Sequence, residues 1–122
     1  MKTFIVIGAV AMALGVMLGA FGAHGLKNKL TPDLLAVYHT GVEYHLYHAL
    51  GLILVGVLIH QFPQVAGLHT GGWLLLAGIV IFSGSLYVLA ISGIRWLGAI
   101  TPIGGTAFIA GWLWIAWSLV RG

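Results

Sequence analysis

Charge is what this sequence has least of. Of its 122 residues only 6% are Asp, Glu, Lys or Arg, where a soluble domain carries about 25%. So few charges cannot cover a water-soluble domain of this size, and the solvent around it must be largely lipid. Cysteine is absent, which excludes disulfides, thiolate metal sites and a cysteine nucleophile. Acidic residues number two, Asp33 and Glu43, against five Lys and Arg. The basic residues stand singly apart from Lys27 and Lys29. No basic patch is interleaved with aromatics, so nucleic-acid binding has no support. The excess positive charge fits a modest attraction to anionic headgroups.

What is present is hydrocarbon, at 61% of residues. At roughly 20 apolar residues per crossing, the chain has room for four spans and little else. The apolar runs fall at about 4–23, 41–60, 73–92 and 101–120. The expected fold is all-α: an integral-membrane four-helix bundle, one four-span domain over 1–122 with short loops.

In the first run, Ala11, Gly15, Gly19 and Ala23 recur every fourth residue. At helical period they form one stripe along which backbones approach closely in lipid. A signal peptide is the rival reading, but the run exceeds the usual signal core and Ala20-Phe21-Gly22 is a poor cleavage site. Residues 22–30 read as a turn. Thr31 reads as an N-cap, with Pro32 at the first helical position and Asp33 against the helix dipole. A helix from there to Gln61 would be ~45 Å long, more than a bilayer core needs. Its first part, 32–40, is therefore expected to be an interfacial helix leading into the second span.

Phe62-Pro63 ends that helix, and 64–72 reads as a loop containing His69. Ser83-Gly84-Ser85 marks a close contact in the third span, with hydroxyls bonded to nearby carbonyls. Gly104 and Gly105 read as a second close contact. Thr101-Pro102 opens a new helix rather than kinking an old one. Residues 97–100 would then be a short non-helical or interfacial piece that protein must cover. Trp112, Trp114 and Trp117 resemble an interfacial belt.

The densest polar stretch is 38–48, with three histidines, three tyrosines and Glu43. Helical spacing divides it among three faces: His39, Glu43 and Tyr47; Tyr44 and His48; Tyr38 and His45. Four spans place the end of span one, the start of span two, the end of span three and the start of span four on one membrane side. That side also holds His24, Ser92, Arg95 and Thr101, while His60 and His69 lie near the opposite interface. Ionisable residues inside spans face the bundle and pair. The candidate site is thus a buried polar network of His24, Glu43, His48 and Arg95, with His39, Tyr44, His45 and Thr101 secondary. A Glu43–Arg95 or Glu43–His24 bond would tie span two to its neighbours, with structural glue favoured over a proton or ion relay.

No catalytic residues, metal or cofactor are expected. His45 and His48 at i, i+3 match neither HExxH nor the Glu-x-x-His of di-iron bundles. Scattered histidines do not establish a haem site, and Ser83, Ser85 and Ser92 lack a nucleophile elbow. Lys27, Lys29 and Arg95 on loops one and three outnumber Lys2 and Arg121. The positive-inside rule then places those loops in the cytoplasm and the termini outside.

Three motifs together carry a resemblance: Gly19-Ala-Phe-Gly-Ala-His-Gly-Leu26, Tyr44-His-Leu-Tyr-His48-Ala, and Leu97-Gly-Ala-Ile-Thr-Pro-Ile-Gly-Gly105 followed by Gly111-Trp112. In order and spacing the chain resembles, over essentially its whole length, the YgdD/YwdK-like family of small inner-membrane proteins carrying domain of unknown function 423. The family has small eukaryotic transmembrane relatives. The resemblance implies four spans, a retained first helix and a bacterial inner (plasma) membrane, and it implies no activity. In many members Gln stands where His45 stands here, which disfavours His45 as an essential ligand and favours His48.

The expected role is a non-enzymatic structural or accessory subunit in the lipid bilayer, with a homo-oligomer or another membrane protein as partner. The alternative is an oligomeric small-solute or proton-coupled transporter or pore using Glu43 and His48. A haem- or metal-binding membrane protein ranks third.

Overall fold

The computed structural model describes residues 2–122. Helix α1, Thr3–Phe21, runs on through a π-helical turn, Gly22–Leu26. Helix α2 is Pro32–Gln61. Helix α3 (Gly67–Gly78), a second π-helical turn (Ile79–Ser83) and α4 (Gly84–Ser92) form one continuous third rod. A 3-10 turn, Arg95–Ala99, leads into α5, Thr101–Arg121. The result is all-α, with four helices long and apolar enough to cross a membrane.

Burial decides which helices are central. About half of the apolar window of α2 is buried (50%), and 44% of that of the third rod, against 22% for α1 and 28% for α5. The second and third spans thus form the centre, and the first and fourth clad it. Helix α1 lies along α2, and α5 lies along α3 and the second π turn. Two apolar clusters occupy opposite halves. Phe4, Leu52, Leu75, Phe108 and Ile115 fill the half near the termini. Leu26, Tyr38, Val42 and Ala90 fill the other.

Missing side chains set the helix spacing. A Cβ at Gly8 would lie 2.8 Å from the Ala49 carbonyl oxygen, and one at Gly15 2.6 Å from Leu46. One at Gly19 would meet Val42 at 3.3 Å. The small-residue stripe is therefore real, but it does not end at Ala23, which is exposed. The π turn shifts the register, and Gly22 takes the packed place, flat against the Tyr38 ring. The expected turn at 22–30 accordingly starts later, after Leu26.

Other boundaries also move. His69 lies in α3 and not in a loop, because Gly71 and Gly72 are packing contacts rather than breakers. A Cβ at Gly72 would strike the Phe4 ring at 2.6 Å, and Gly71 faces Ile115. Thr31 does stand before α2 with Pro32 at its first turn, yet its hydroxyl donates to the Asp33 carboxylate and caps no backbone N–H. Residues 95–99 wind into a 3-10 turn that satisfies its own backbone, and none of them is buried, so protein does not cover them. A Cβ added at Gly84 would meet nothing within 4 Å, so this glycine is not the close contact expected of it. Trp112 leaves the expected belt: a Cβ added at Gly51 would lie 3.0 Å from its ring, while Trp114 and Trp117 stay exposed.

Candidate functional site

Inside this bundle lies a layer of polar groups that lock the helices to one another. His45 is 5% exposed. Its Nε2 lies 2.8 Å from the Ala11 carbonyl of α1, and its Nδ1 2.8 Å from the Tyr87 hydroxyl of α4. A carbonyl only accepts, so Nε2–H donates to it. In the neutral ring Nδ1 then accepts from Tyr87. One side chain thereby joins three spans with every polar atom satisfied. Gly15, one turn beyond Ala11, leaves room for the ring: a Cβ there would sit 3.2 Å from His45 Cδ2.

Three further bridges flank it. Tyr38, wholly buried, donates its hydroxyl to the Leu18 carbonyl. Ser83, also wholly buried, donates to the Gly41 carbonyl at 2.7 Å. Ser85 donates to the Phe82 carbonyl at 2.9 Å, so Thr101, 2.6 Å away, is the donor to Ser85. These bonds tie spans one to two, two to three and three to four in turn. Mid-span hydroxyls and imidazoles would otherwise be costly in hydrocarbon.

The structure separates the four residues expected to form one network. Glu43 and His24 are exposed, and neither hydrogen-bonds to another described residue. Arg95 reaches Asp33 instead, at 3.1 Å, with the two side chains 71% and 60% exposed. Both expected Glu43 pairings are therefore corrected. Glu43 stands on the outward face of α2, with the exposed His39 and Tyr47, while Arg95 sits on the 3-10 turn beyond the membrane end of the third rod. Exposed pairs contribute little. Arg95→Met is expected to leave the thermal midpoint of the purified protein unchanged, and its effect should simply add to that of Glu43→Gln. A coupling between the two in a double-mutant cycle would contradict this geometry.

His48 alone of the four is buried. Its Nδ1–H donates to the Tyr44 carbonyl at 2.7 Å, and its ring stacks on Phe108 with centroids 3.6 Å apart. It belongs to an aromatic cluster with Tyr44, Phe82 and Trp112. His48 and Glu43 therefore line no common path within one chain. His39 is exposed, and Tyr44 is 39% exposed at the rim of the aromatic cluster. Among the secondary candidates, His45 and Thr101 are the ones the fold wires across helices. Among the described residues no three metal-ligating side chains come together. Tyr87 was not among the sequence candidates. Its signal is faint: it is the only tyrosine of the third span, and such a hydroxyl in lipid needs a partner.

Four spanning helices, close glycine contacts and a self-satisfied polar layer define a polytopic α-helical membrane protein. Residues 18–105 match the family described as "Protein of unknown function (DUF423)", and the chain belongs to that family. It is 53% identical to the UPF0382 membrane protein YwdK of Bacillus subtilis (strain 168) over 121 residues, covering 99% of this chain and 98% of the relative. It is 52% identical to the UPF0382 membrane protein SH2409 of Staphylococcus haemolyticus (strain JCSC1435) over 113 residues, 93% and 91% of the two chains. No solved structure matches it.

Proposed function

We propose that the protein is a non-catalytic membrane subunit that works as an assembly, joined to a second copy of itself across the outward stripe of α2. One observation carries this reading: Glu43 is exposed within a membrane-spanning helix and has no hydrogen-bond or ion-pair partner among the described residues. It lies two residues, ~3 Å along the axis, from His45, whose partner Ala11 is well inside α1. A carboxylate at such depth calls for a partner. The same stripe carries donors one turn to either side, His39 and Tyr47. Acceptor and donors on one face make it self-complementary, as a two-fold interface requires. Beyond Tyr47 the stripe continues as Leu50, Leu54 and Val57, all about half exposed.

The polar groups inside the bundle support a structural role, since their hydrogen bonds are spent on one another. The transporter reading, by contrast, needs Glu43 and His48 on one path. The likeness to bacterial membrane proteins supports the plasma (inner) membrane as its location, and the basic residues of loops one and three favour those loops in the cytoplasm and the termini outside.

The absence of native cysteine makes the test direct. Leu54→Cys on the stripe should form a disulfide-linked dimer in membranes, and Val10→Cys, equally exposed on α1, should not. Adding Glu43→Leu should reduce the Leu54→Cys dimer severalfold. A dimer yield that is the same at both cysteines, or indifferent to Glu43, would refute the interface.

A further inference from the structure

Helix α2 turns an uncommitted pair of metal-ligating side chains outward. His39 and Glu43 are exposed, stand at i, i+4 on one face, and hydrogen-bond to no described residue. Side chains so spaced have Cβ atoms ~5–6 Å apart. At that spacing one helix offers two ligands to one ion, as the two histidines of HExxH do. The His39 ring stands edge-on beside that of buried Tyr38, with centroids 6.2 Å apart, and neither of its nitrogens is engaged by another described residue. His45 and His48, by contrast, are buried and bonded to carbonyl groups. Thr40, between His39 and Glu43, is also spent: its hydroxyl donates to the Ala36 carbonyl.

Two ligands do not hold a transition metal, and among the described residues of one chain no third joins them. A second copy supplies the rest. Copies inserted in one orientation are related by a two-fold axis along the membrane normal, so each residue of an α2–α2 seam meets its own counterpart at the same depth. The Glu43 carboxylates of the two copies then face each other. Facing carboxylates in a membrane cannot both stay ionised unless a cation or a proton lies between them. The His39 rings, one turn nearer the headgroups, decide for a metal: they bring two nitrogen donors to the same axis, and a shared proton has no use for these. With helix axes ~8–10 Å apart, side chains of this length reach a point midway. Two imidazoles and two carboxylates make a four-coordinate set of the kind zinc takes. Tyr47, exposed one turn deeper, can donate its hydroxyl to a carboxylate oxygen that the metal leaves free. Leu50, Leu54 and Val57 continue the seam as hydrocarbon and seal it toward the membrane centre.

Given the two-fold α2 interface, on which this site depends, we infer that one divalent transition-metal ion with zinc's preferences sits between two copies, held by His39 and Glu43 of each. The ion pins the copies together at the end of α2 nearest loops one and three. It is a structural clasp and adds no reaction. Magnesium, which seeks oxygen ligands and keeps its waters, is disfavoured by the two nitrogen donors.

The test strips the full-length protein with chelator in mild detergent, returns zinc or magnesium, and reads bound metal and mass by native mass spectrometry. Zinc should load at one ion per two chains and convert monomer to dimer; magnesium should do neither. Glu43→Gln and His39→Ala should each abolish the stoichiometric zinc, while His69→Ala, exposed at the opposite membrane end, keeps it. Both replaced side chains are exposed, so the metal-free melting points should match that of the parent and separate lost binding from lost folding. Zinc bound by single chains, or bound equally by the parent and Glu43→Gln, would overturn the site. Cross-linking Leu54→Cys in membranes with a bismaleimide, which needs no metal catalyst, tells the ion apart from the interface it spans. Chelator should lower that dimer severalfold. A yield unchanged by chelator would overturn the ion and leave the interface standing, with a proton shared by the carboxylates. No dimer with or without zinc would overturn both.

Discussion

Replacing His45 with alanine is expected to destabilise the bundle by about 2–5 kcal/mol, the range for emptying a packed interior site. The substitution also removes the bonds to Ala11 and Tyr87, leaving the Tyr87 hydroxyl without its acceptor. Tyr87→Phe should cost less, about 0.6–1.7 kcal/mol, as hydrogen bonds between helices in lipid do. The informative variant is His45→Gln. A glutamine amide donates through nitrogen and accepts through oxygen, the same complement that His45 presents to Ala11 and Tyr87. It should retain most of the stability that alanine loses. Reversible unfolding in a denaturing detergent would measure all three, and a double-mutant cycle of His45→Ala with Tyr87→Phe should be non-additive. Additivity, or a glutamine variant no better than alanine, would show that the bridge contributes nothing.

The second large effect belongs to Gly104. A Cβ there would collide with the backbone nitrogen of Phe82 and lie 2.7 Å from its Cα. Backbone atoms inside a helix cannot rotate aside, so α5 must move away from the third rod and take Thr101 from Ser85 with it. Gly104→Ala is expected to cost about 1–3 kcal/mol, as overpacking does, and Gly104→Val more. Gly105 provides the control. Its added Cβ would meet only the Phe82 ring, at 3.6 Å, an ordinary contact. Gly105→Ala should therefore be close to neutral, or slightly stabilising through helix propensity. Equal losses at the two glycines would show that the helix contact is softer than its geometry.

Much of this was legible from residue types. Pro32 and Pro102 marked helix starts because their rings tolerate only the first turn. Gly15, Gly19 and Gly104 marked close helix contacts because nothing else explains small residues at helical spacing in lipid. The hydroxyls of Ser83 and Ser85 had to bond carbonyls, and they do. Glycine was also where reading failed. Gly71 and Gly72 look like a loop on paper, and only the arrival of Ile115 and Phe4 reveals them as contact points. The π turn at Gly22–Leu26 has no sequence signature at all; in the fold its first residue, Gly22, lies against the Tyr38 ring.

The candidate site shows the same division. Composition and hydropathy determined the solvent, the number of spans and the helical class, because these depend on summed transfer free energies and need no knowledge of neighbours. Spacing along α2 also determined that Glu43, His45 and His48 face different ways. Which face turned inward was a tertiary matter. Rotation of α2 against α1 and the third rod buried His45 and His48 and left Glu43 outside. Arg95, placed by a 3-10 turn, met Asp33 rather than Glu43. Partner choice rests on angles and depths fixed when glycine contacts set the helix spacing, and a one-dimensional pattern holds neither.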